Sequence, residues 1–112
     1  SVLFSSVCAI SSEKGMFAYA AAKSAVNGCI GSLAKEICHK GHRVNSIMPG
    51  WVENSVMTSS LDGLIKQNFF KKNHLLGLAQ PDDITGMVLF LLSDRASWIT
   101  GSSIAVDGGF LA

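Results

Sequence analysis

Three residues near the amino end of this 112-residue chain have side chains suited to moving a proton: Ser6, Tyr19 and Lys23. Tyr19 and Lys23 are four positions apart, which places them on one face of a helix, about 6 Å apart along its axis. An ammonium group beside a phenol favours the phenolate form, so a tyrosine in this setting can both give and take a proton. This chemistry suits the interconversion of a carbonyl and an alcohol.

The same spacing also occurs on ordinary helices, where a tyrosine simply packs on the stem of a lysine. Two features of the surrounding sequence favour a site. The residues between the pair are Ala20, Ala21 and Ala22, whose small side chains let a flat ligand approach the helix closely. Ser6 follows an apolar run that predicts a buried strand. Its hydroxyl would therefore lie at the carboxyl end of a strand, where open α/β sheets bind ligands.

The hydrophobic pattern predicts a single α/β unit with three strands and two main helices. Strands are expected at residues 2–5, 43–48 and 103–106, and helices at 17–40, at about 61–71 and from residue 81 onward. Connections of this length imply parallel strands. The residues expected to face the core are Val26, Ile30, Leu33 and Ile37 in the first helix, and Ile84, Val88, Leu91 and Leu92 in the last.

Charge and composition argue against several function classes. The net charge of +1 and the scattered lysines and arginines give no basic surface for nucleic acid. No apolar run approaches the ~20 residues that a membrane-spanning helix needs. Charged residues make up only 15% of the chain, against about 25% in a typical soluble domain. So apolar a chain is expected to leave hydrophobic surface that a partner covers.

The cysteines and histidines do not indicate a metal centre. The three cysteines, an odd number without C-x-x-C spacing, are interpreted as reduced, buried thiols of a cytoplasmic protein. His39 and His42 flank Gly41, where the first helix is expected to end, so capping of helix carbonyls is favoured over zinc binding. No metal site is therefore expected.

Four motifs, in order, resemble those of the short-chain dehydrogenases/reductases, a family of NAD(P)-dependent oxidoreductases with a Rossmann-type sheet. Ser6 lies thirteen positions before Tyr19, as the family's catalytic serine does, and residues 19–23 match Y-x-x-x-K. Residues 43–50 read R-V-N-S-I-M-P-G, and near the end of the chain I-T-G at residues 99–101 is followed by V-D-G-G at residues 106–109. The resemblance runs along the whole chain and is of the 3-oxoacyl-[acyl-carrier-protein] reductase type.

This resemblance implies a role for each matched residue. Tyr19 would exchange a proton with the substrate oxygen, Lys23 would favour the phenolate and bind the nicotinamide ribose, and Ser6 would hold the substrate oxygen. Ser5 is an adjacent alternative, and the hydroxyl of Ser6 could instead only cap its loop.

The loop after the second strand would contact the cofactor, NADP or NAD, through Pro49, Gly50, Val52 and Asn54. Asn54 stands where the family commonly has threonine, so its reach toward the cofactor differs. The alternative for this loop is a simple turn that ends the strand.

The resemblance also implies that residues 1–112 are the carboxyl-terminal half of one doubly wound, Rossmann-type domain. No G-x-G-x-x-G stretch occurs in the chain, so the loop that would hold the dinucleotide phosphates is expected before residue 1. The chain alone is expected to be inactive, and to pair with the missing half or with copies of itself.

The substrate is expected to be a small carbonyl or alcohol compound, most simply a 3-oxoacyl thioester. Two alternatives stay open: a sugar or alcohol dehydrogenase of the same family, or a truncated, inactive fragment that keeps the family's oligomerisation surfaces.

Overall fold

In the part of the chain that the structure describes, three parallel strands form one sheet. The computed structural model describes residues 1–53, 55, 63, 68 and 73–112. The strands are β1 (Val2–Phe4), β2 (Asn45–Pro49) and β3 (Ser103–Val106), which lie side by side in the order β1-β2-β3. Both pairings are parallel. The predicted α/β class, the number of strands and their parallel pairing are confirmed.

Two helices connect these strands within the described residues. Helix α1 is Phe17–Ile37 and continues into a short 3₁₀ turn at Cys38–Lys40. It ends at Gly41, whose φ of 72° lies in the left-handed region that favours glycine. Helix α2 is Pro81–Leu92, with a proline in its first turn. The predicted start of α1 and its end at a glycine are both confirmed.

Strand β2 is the centre of the core. Four of its five residues are buried, and Ile47 is fully so. Side chains alternate across a sheet, so Val44 and Ile47 point to opposite faces. Val44 packs with Ile30 and Ala34 of α1, whereas Ile47 packs with residues of α2. The two helices therefore cover opposite faces of the sheet, as parallel strands require.

Polar side chains at the start of β2 join two of the sequence motifs. The guanidinium group of Arg43 donates hydrogen bonds to the carbonyl oxygens of Leu91 and Ile99, at 3.0 and 3.1 Å. The amide of Asn45 donates to the same Ile99 oxygen at 2.9 Å and accepts from the Ser102 amide at 3.1 Å. Hydrogen bonds thus join the R-V-N segment to the I-T-G segment, and they position the start of β3 beside β2.

Some expectations about burial were wrong. Leu92 is 56% exposed instead of buried, because it lies about 100° around the helix from the buried Leu91. Cys8 is buried as expected, but Cys29 and Cys38 are exposed. Cys29 precedes the buried Ile30 and is turned away from the core in the same way as Leu92.

The other expectations for helix residues have mixed outcomes. Val26, Leu33, Ile37 and Val88 are only partly buried. Both His39 and His42 are exposed. The helix expected at about residues 61–71 lies outside the described residues, apart from Gly63 and Asn68. No helix in the described ranges is long and apolar enough to cross a membrane.

Strand β1 has β2 as its single strand partner among the described residues. Its last residue, Phe4, is 51% exposed. A strand with an open edge is a template for pairing with another chain, so this edge is where we expect contact with further polypeptide.

We expect the 112-residue chain to self-associate through this edge. Light scattering after size-exclusion chromatography should show a mass above that of a monomer, rising with concentration. Phe4→Lys should reduce the association, because a lysine on an edge strand opposes strand pairing.

The matched control is Trp98→Lys, which also replaces an exposed aromatic residue but lies outside β1. A folded monomer at every concentration, or equal loss of association in both variants, would contradict this expectation.

Candidate active site

A cleft of about 350 Å³ opens at the edge of the sheet where β1 and β2 end. Because the strands are parallel, their carboxyl ends meet at the same edge. The cleft is lined by every described residue of the predicted site: Ser6, Tyr19, Lys23, Pro49, Gly50 and Val52. Asn54 lies outside the described residues. The geometry thus brings together residues that are more than forty positions apart in the sequence.

Two hydrogen bonds of opposite direction join helix α1 to the end of β1. The hydroxyl of Ser5 donates to the carbonyl oxygen of Lys23 at 2.9 Å, and the Lys23 ammonium donates to the carbonyl oxygen of Phe4, also at 2.9 Å. An ammonium group has three N–H donors, so this contact leaves donors for a ligand. The pair of bonds fixes the turn of α1 that carries Lys23 against the strand.

The geometry distinguishes the two adjacent serines. Ser5 donates its hydroxyl hydrogen to the backbone of α1. Ser6 instead caps the 3₁₀ turn Val7–Ala9, because its Oγ accepts a hydrogen bond from the Cys8 amide at 3.2 Å. Its own hydroxyl hydrogen has no acceptor among the described residues. Ser6 therefore caps the loop and still has a donor for a substrate oxygen.

Tyr19 lies on the wall of the same cleft, one helical turn before Lys23. The Lys23 nitrogen is 5.6 Å from the centre of the Tyr19 ring, within the range of a cation–π contact. The predicted neighbourhood of phenol and ammonium is thus present. No hydrogen bond from the Tyr19 hydroxyl to another described residue occurs, so this oxygen can meet a ligand.

The loop at residues 49–52 is held tightly against the end of β3. The Gly50 amide donates to the Val106 carbonyl oxygen at 3.0 Å. A Cβ atom at Gly50 would lie 2.9 Å from the Asp107 Cα, closer than such atoms approach. The loop can therefore follow this path only with glycine at position 50, which gives this residue a structural role.

Sequence reasoning did not place His74 at the site, but its side chain is hydrogen-bonded to the backbone of this loop. Its side chain is 6% exposed, and its Nε2 accepts a hydrogen bond from the Trp51 amide at 3.3 Å. Burial lowers the pKa of His74 from its ordinary value of 6.5, and the carboxylate of Asp107 opposes that effect. Neither motif spacing nor hydrophobic pattern could have indicated this residue, because the contact joins separate loops.

No group of three His, Cys, Asp or Glu side chains in the described part of the chain is arranged to hold a metal ion. The donors that the cleft offers are instead hydroxyl, phenol, ammonium and backbone groups. Groups of these kinds can donate hydrogen bonds and a proton to an organic ligand.

Comparison with known proteins gives consistent matches along the chain. A family model described as enoyl-(acyl carrier protein) reductase matches residues 1–111. A 3-oxoacyl-[acyl-carrier-protein] reductase of Chlamydia trachomatis is 39% identical over 105 residues, which are 94% of this chain and 42% of that protein. A probable short-chain type dehydrogenase/reductase of Bradyrhizobium diazoefficiens is 34% identical over 111 residues, 99% of this chain and 40% of that one.

The chain belongs to the short-chain dehydrogenase/reductase family. Solved structures of this family have the same fold. A 3-oxoacyl-[acyl-carrier protein] reductase from Brucella melitensis superimposes with a TM-score of 0.89 at 30% identity, over 99% of this chain and 42% of that one. A 7α-hydroxysteroid dehydrogenase complexed with NADH and 7-oxo glycochenodeoxycholic acid gives 0.87 at 32% identity, over 96% and 43%.

This chain spans less than half of the length of each of these relatives. The predicted family and the Rossmann-type fold are nevertheless confirmed, since the superposition extends over nearly the whole chain.

The close approach at Gly50 gives a direct test of the loop. Gly50→Ala should lower the free energy of unfolding by about 1–3 kcal/mol, because the added methyl group meets backbone that cannot turn aside. Denaturant unfolding of the purified chain measures this change.

The control is Gly28→Ala in α1, where a new Cβ would meet nothing within 4 Å. That variant should be unchanged or more stable by up to about 1 kcal/mol, because alanine favours a helix more than glycine does. Equal effects of the two substitutions would show that the loop is not held as described.

Proposed function

We propose that this chain carries the proton-transfer residues of an NAD(P)-dependent oxidoreductase that interconverts a carbonyl and a secondary alcohol. The observation that carries the proposal is the convergence of the Ser6 hydroxyl, the Tyr19 phenol and the Lys23 ammonium on one cleft at the carboxyl edge of the sheet. Family membership supports the same reaction class.

Each of the three residues has a separate task in the reduction. Ser6 donates its hydroxyl hydrogen to the substrate carbonyl oxygen and so stabilises the negative charge that develops there. Tyr19 gives its phenolic proton to the same oxygen. Lys23 lies beside the phenol, and its positive charge stabilises the phenolate that is left. In the direction of alcohol oxidation, the phenolate takes the proton back.

The cleft has groups that suit the nicotinamide end of a dinucleotide. Its wall contains the apolar side chains of Phe4, Val7 and Pro49 for a flat ring, and Lys23 keeps N–H donors for ribose hydroxyls. A bound nicotinamide supplies or accepts the hydride. The loop at residues 49–52 offers backbone groups for the carboxamide, with Val52 at the cleft. Contact of Asn54 with the cofactor stays a prediction.

The phosphates of the cofactor need a second element. The sequence contains no G-x-G-x-x-G stretch, so we propose that the phosphate-binding loop belongs to residues before Ser1 of a longer polypeptide, and that residues 1–112 are the carboxyl-terminal part of one domain. The open edge of β1 is where the sheet would continue. NAD and NADP are both compatible with the residues described.

We propose a 3-oxoacyl thioester as the substrate and a homo-oligomeric, cytoplasmic enzyme. The support for the substrate is that relatives from Chlamydia and Brucella are named 3-oxoacyl-[acyl-carrier-protein] reductases. A dehydrogenase of small alcohols or sugars would use the same three residues, so an assay with both substrate classes decides between them.

The native polypeptide, expressed with whatever coding sequence precedes Ser1, should oxidise NADPH or NADH when supplied with a 3-oxoacyl thioester such as acetoacetyl-CoA. Tyr19→Phe should lower kcat by about a hundredfold or more, because general acid catalysis is lost. The thermal unfolding curve should not change, since only an oxygen atom without a described partner is removed. Near-normal turnover in this variant would refute the assignment.

The adjacent serines offer a matched pair of substitutions. Ser6→Ala should lower kcat by about a hundredfold, as loss of a donor to a developing oxyanion does. The same variant should lower the free energy of unfolding by about 1 kcal/mol, because Ser6 also caps the 3₁₀ turn Val7–Ala9. Ser5→Ala should lower the free energy of unfolding by a similar amount, because it removes a hydrogen bond between strand and helix, but with a smaller loss of kcat. A larger loss of kcat in Ser5→Ala than in Ser6→Ala would reverse the assignment of the two hydroxyls.

A further inference from the structure

His74 is one of the few buried polar side chains in the described residues. It lies beside a cavity of about 280 Å³ that is separate from the cleft and also borders Gly50 and Trp51. The imidazole packs on the ring of Phe110, with 4.8 Å between the ring centres. Its Nε2 atom points to the backbone of the loop, where it accepts the hydrogen bond of the Trp51 amide.

This hydrogen bond requires the neutral imidazole. A neutral histidine has one donor nitrogen and one acceptor nitrogen, whereas the imidazolium has two donors. Since Nε2 accepts from Trp51, the proton of neutral His74 belongs on Nδ1, an assignment made from the hydrogen-bond geometry. Protonation at Nε2 would set two N–H groups against each other and would break the contact with the loop.

The hydrogen bond between His74 and Trp51 lies in the loop at residues 49–52, which lines the cleft proposed to bind the cofactor. Gly50 and Val52, on either side of Trp51, both line the cleft. The backbone on both sides of His74's contact is anchored: the Gly50 amide bonds to Val106, and the Trp51 carbonyl accepts from the Ala79 amide at 3.1 Å. Between these two anchors, the Trp51 amide donates to a titratable side chain.

Two charged residues line the cavity beside His74. Asp107 lies at the end of β3, and its carboxylate accepts hydrogen bonds from the Gly109 and Leu111 amides, both at 3.0 Å. Asp83 lies on α2, and its carboxylate accepts from the Gln80 amide at 2.7 Å. Both carboxylates already have backbone donors, which limits how far they can favour the imidazolium.

Burial and the nearby carboxylate together determine the pH at which His74 becomes protonated. Burial lowers the pKa of His74, and the opposing influence of Asp107 is smaller. The stability that neutral His74 contributes is therefore complete above pH 6.5, the ordinary histidine value, and is lost as the pH falls through the lower pKa of the folded state.

We propose that His74 is a positioning residue: its neutral imidazole holds the Trp51 amide, and with it the loop at residues 49–52, in the conformation that binds the nicotinamide, and its protonation breaks this hydrogen bond and loosens the loop at Trp51. The cofactor part of this inference depends on the proposed function, while the hydrogen bond and its loss on protonation do not. Cofactor affinity then falls in acid through a residue that does not contact the cofactor.

The structural part is tested on the isotopically labelled native polypeptide, without nucleotide, by amide NMR between pH 8 and pH 5. The Trp51 amide should shift in one titration step centred below pH 6.5, together with the His74 ring protons. In His74→Gln, whose amide oxygen can accept at any pH, the step should vanish. His42→Gln, at an exposed histidine, should retain it. A Trp51 amide that does not follow the His74 ring, or a step that survives in His74→Gln, would overturn the inference.

The functional part is tested on the native polypeptide by the KM for NADPH or NADH as a function of pH. The KM of the wild type should rise by up to about tenfold as the pH falls through the same step, as expected for one net hydrogen bond, with little change in kcat. The KM of His74→Gln should not follow this step. A wild-type KM without the step would overturn the role of His74.

The two proposals can fail separately. Normal turnover without a Trp51 titration would reject the role of His74 and support the proposed function. A clear Trp51 titration in a polypeptide that binds neither nucleotide would reject the proposed function and, with it, the cofactor role of this residue.

Discussion

The candidate site depends on two hydrogen bonds that cross between the end of β1 and helix α1. Ser5 donates to the backbone of Lys23, and the Lys23 ammonium donates to the backbone of Phe4. Because both bonds join the same turn of α1 to the end of β1, the helix cannot shift along the strand without breaking both of them. Ser6, next to Ser5, and Tyr19, one turn from Lys23, are thereby placed on the same cleft. A proton-transfer site needs this fixed geometry, since the reacting groups must lie within hydrogen-bond reach of one atom.

A second constraint comes from the central strand. β2 is buried on both faces, and the helices on either side meet it through separate apolar clusters. Its polar residues, Asn45 and Ser46, are buried and fully engaged, with Ser46 bonded to Asn27 of α1 and to Ser103 of β3. These bonds join the start of β2 to α1 and to β3. The loop that follows is therefore held in place by the sheet itself, and Gly50 allows it to pass close to Asp107.

Much of this arrangement was predictable from the sequence, and the reasons are local. The apolar runs and the glycine after α1 marked the strands and the helix end, because hydrophobic period and backbone conformation act over a few residues. The spacing of Ser6, Tyr19 and Lys23 indicated the cleft because strand ends and helix faces follow simple geometry.

What the sequence did not predict depends on tertiary contacts. The exposure of Leu92 and Cys29 follows from the rotation of each helix against the sheet. The spacing to Tyr19 favoured Ser6 over Ser5, but the hydrogen bond from the Ser5 hydroxyl to the backbone of α1 could be seen only in the structure. His74 became apparent only when the structure placed its ring behind Trp51, a contact between loops that no spacing rule describes.

The central claim is that Ser6, Tyr19 and Lys23, together with the loop at residues 49–52, form one binding and proton-transfer site. A crystal structure of the native polypeptide with NADH or NADPH tests this claim most directly. We predict the nicotinamide ring in the cleft between Tyr19 and the loop, with the Lys23 ammonium bonded to the adjoining ribose. A nicotinamide bound elsewhere, with these side chains facing solvent, would contradict it.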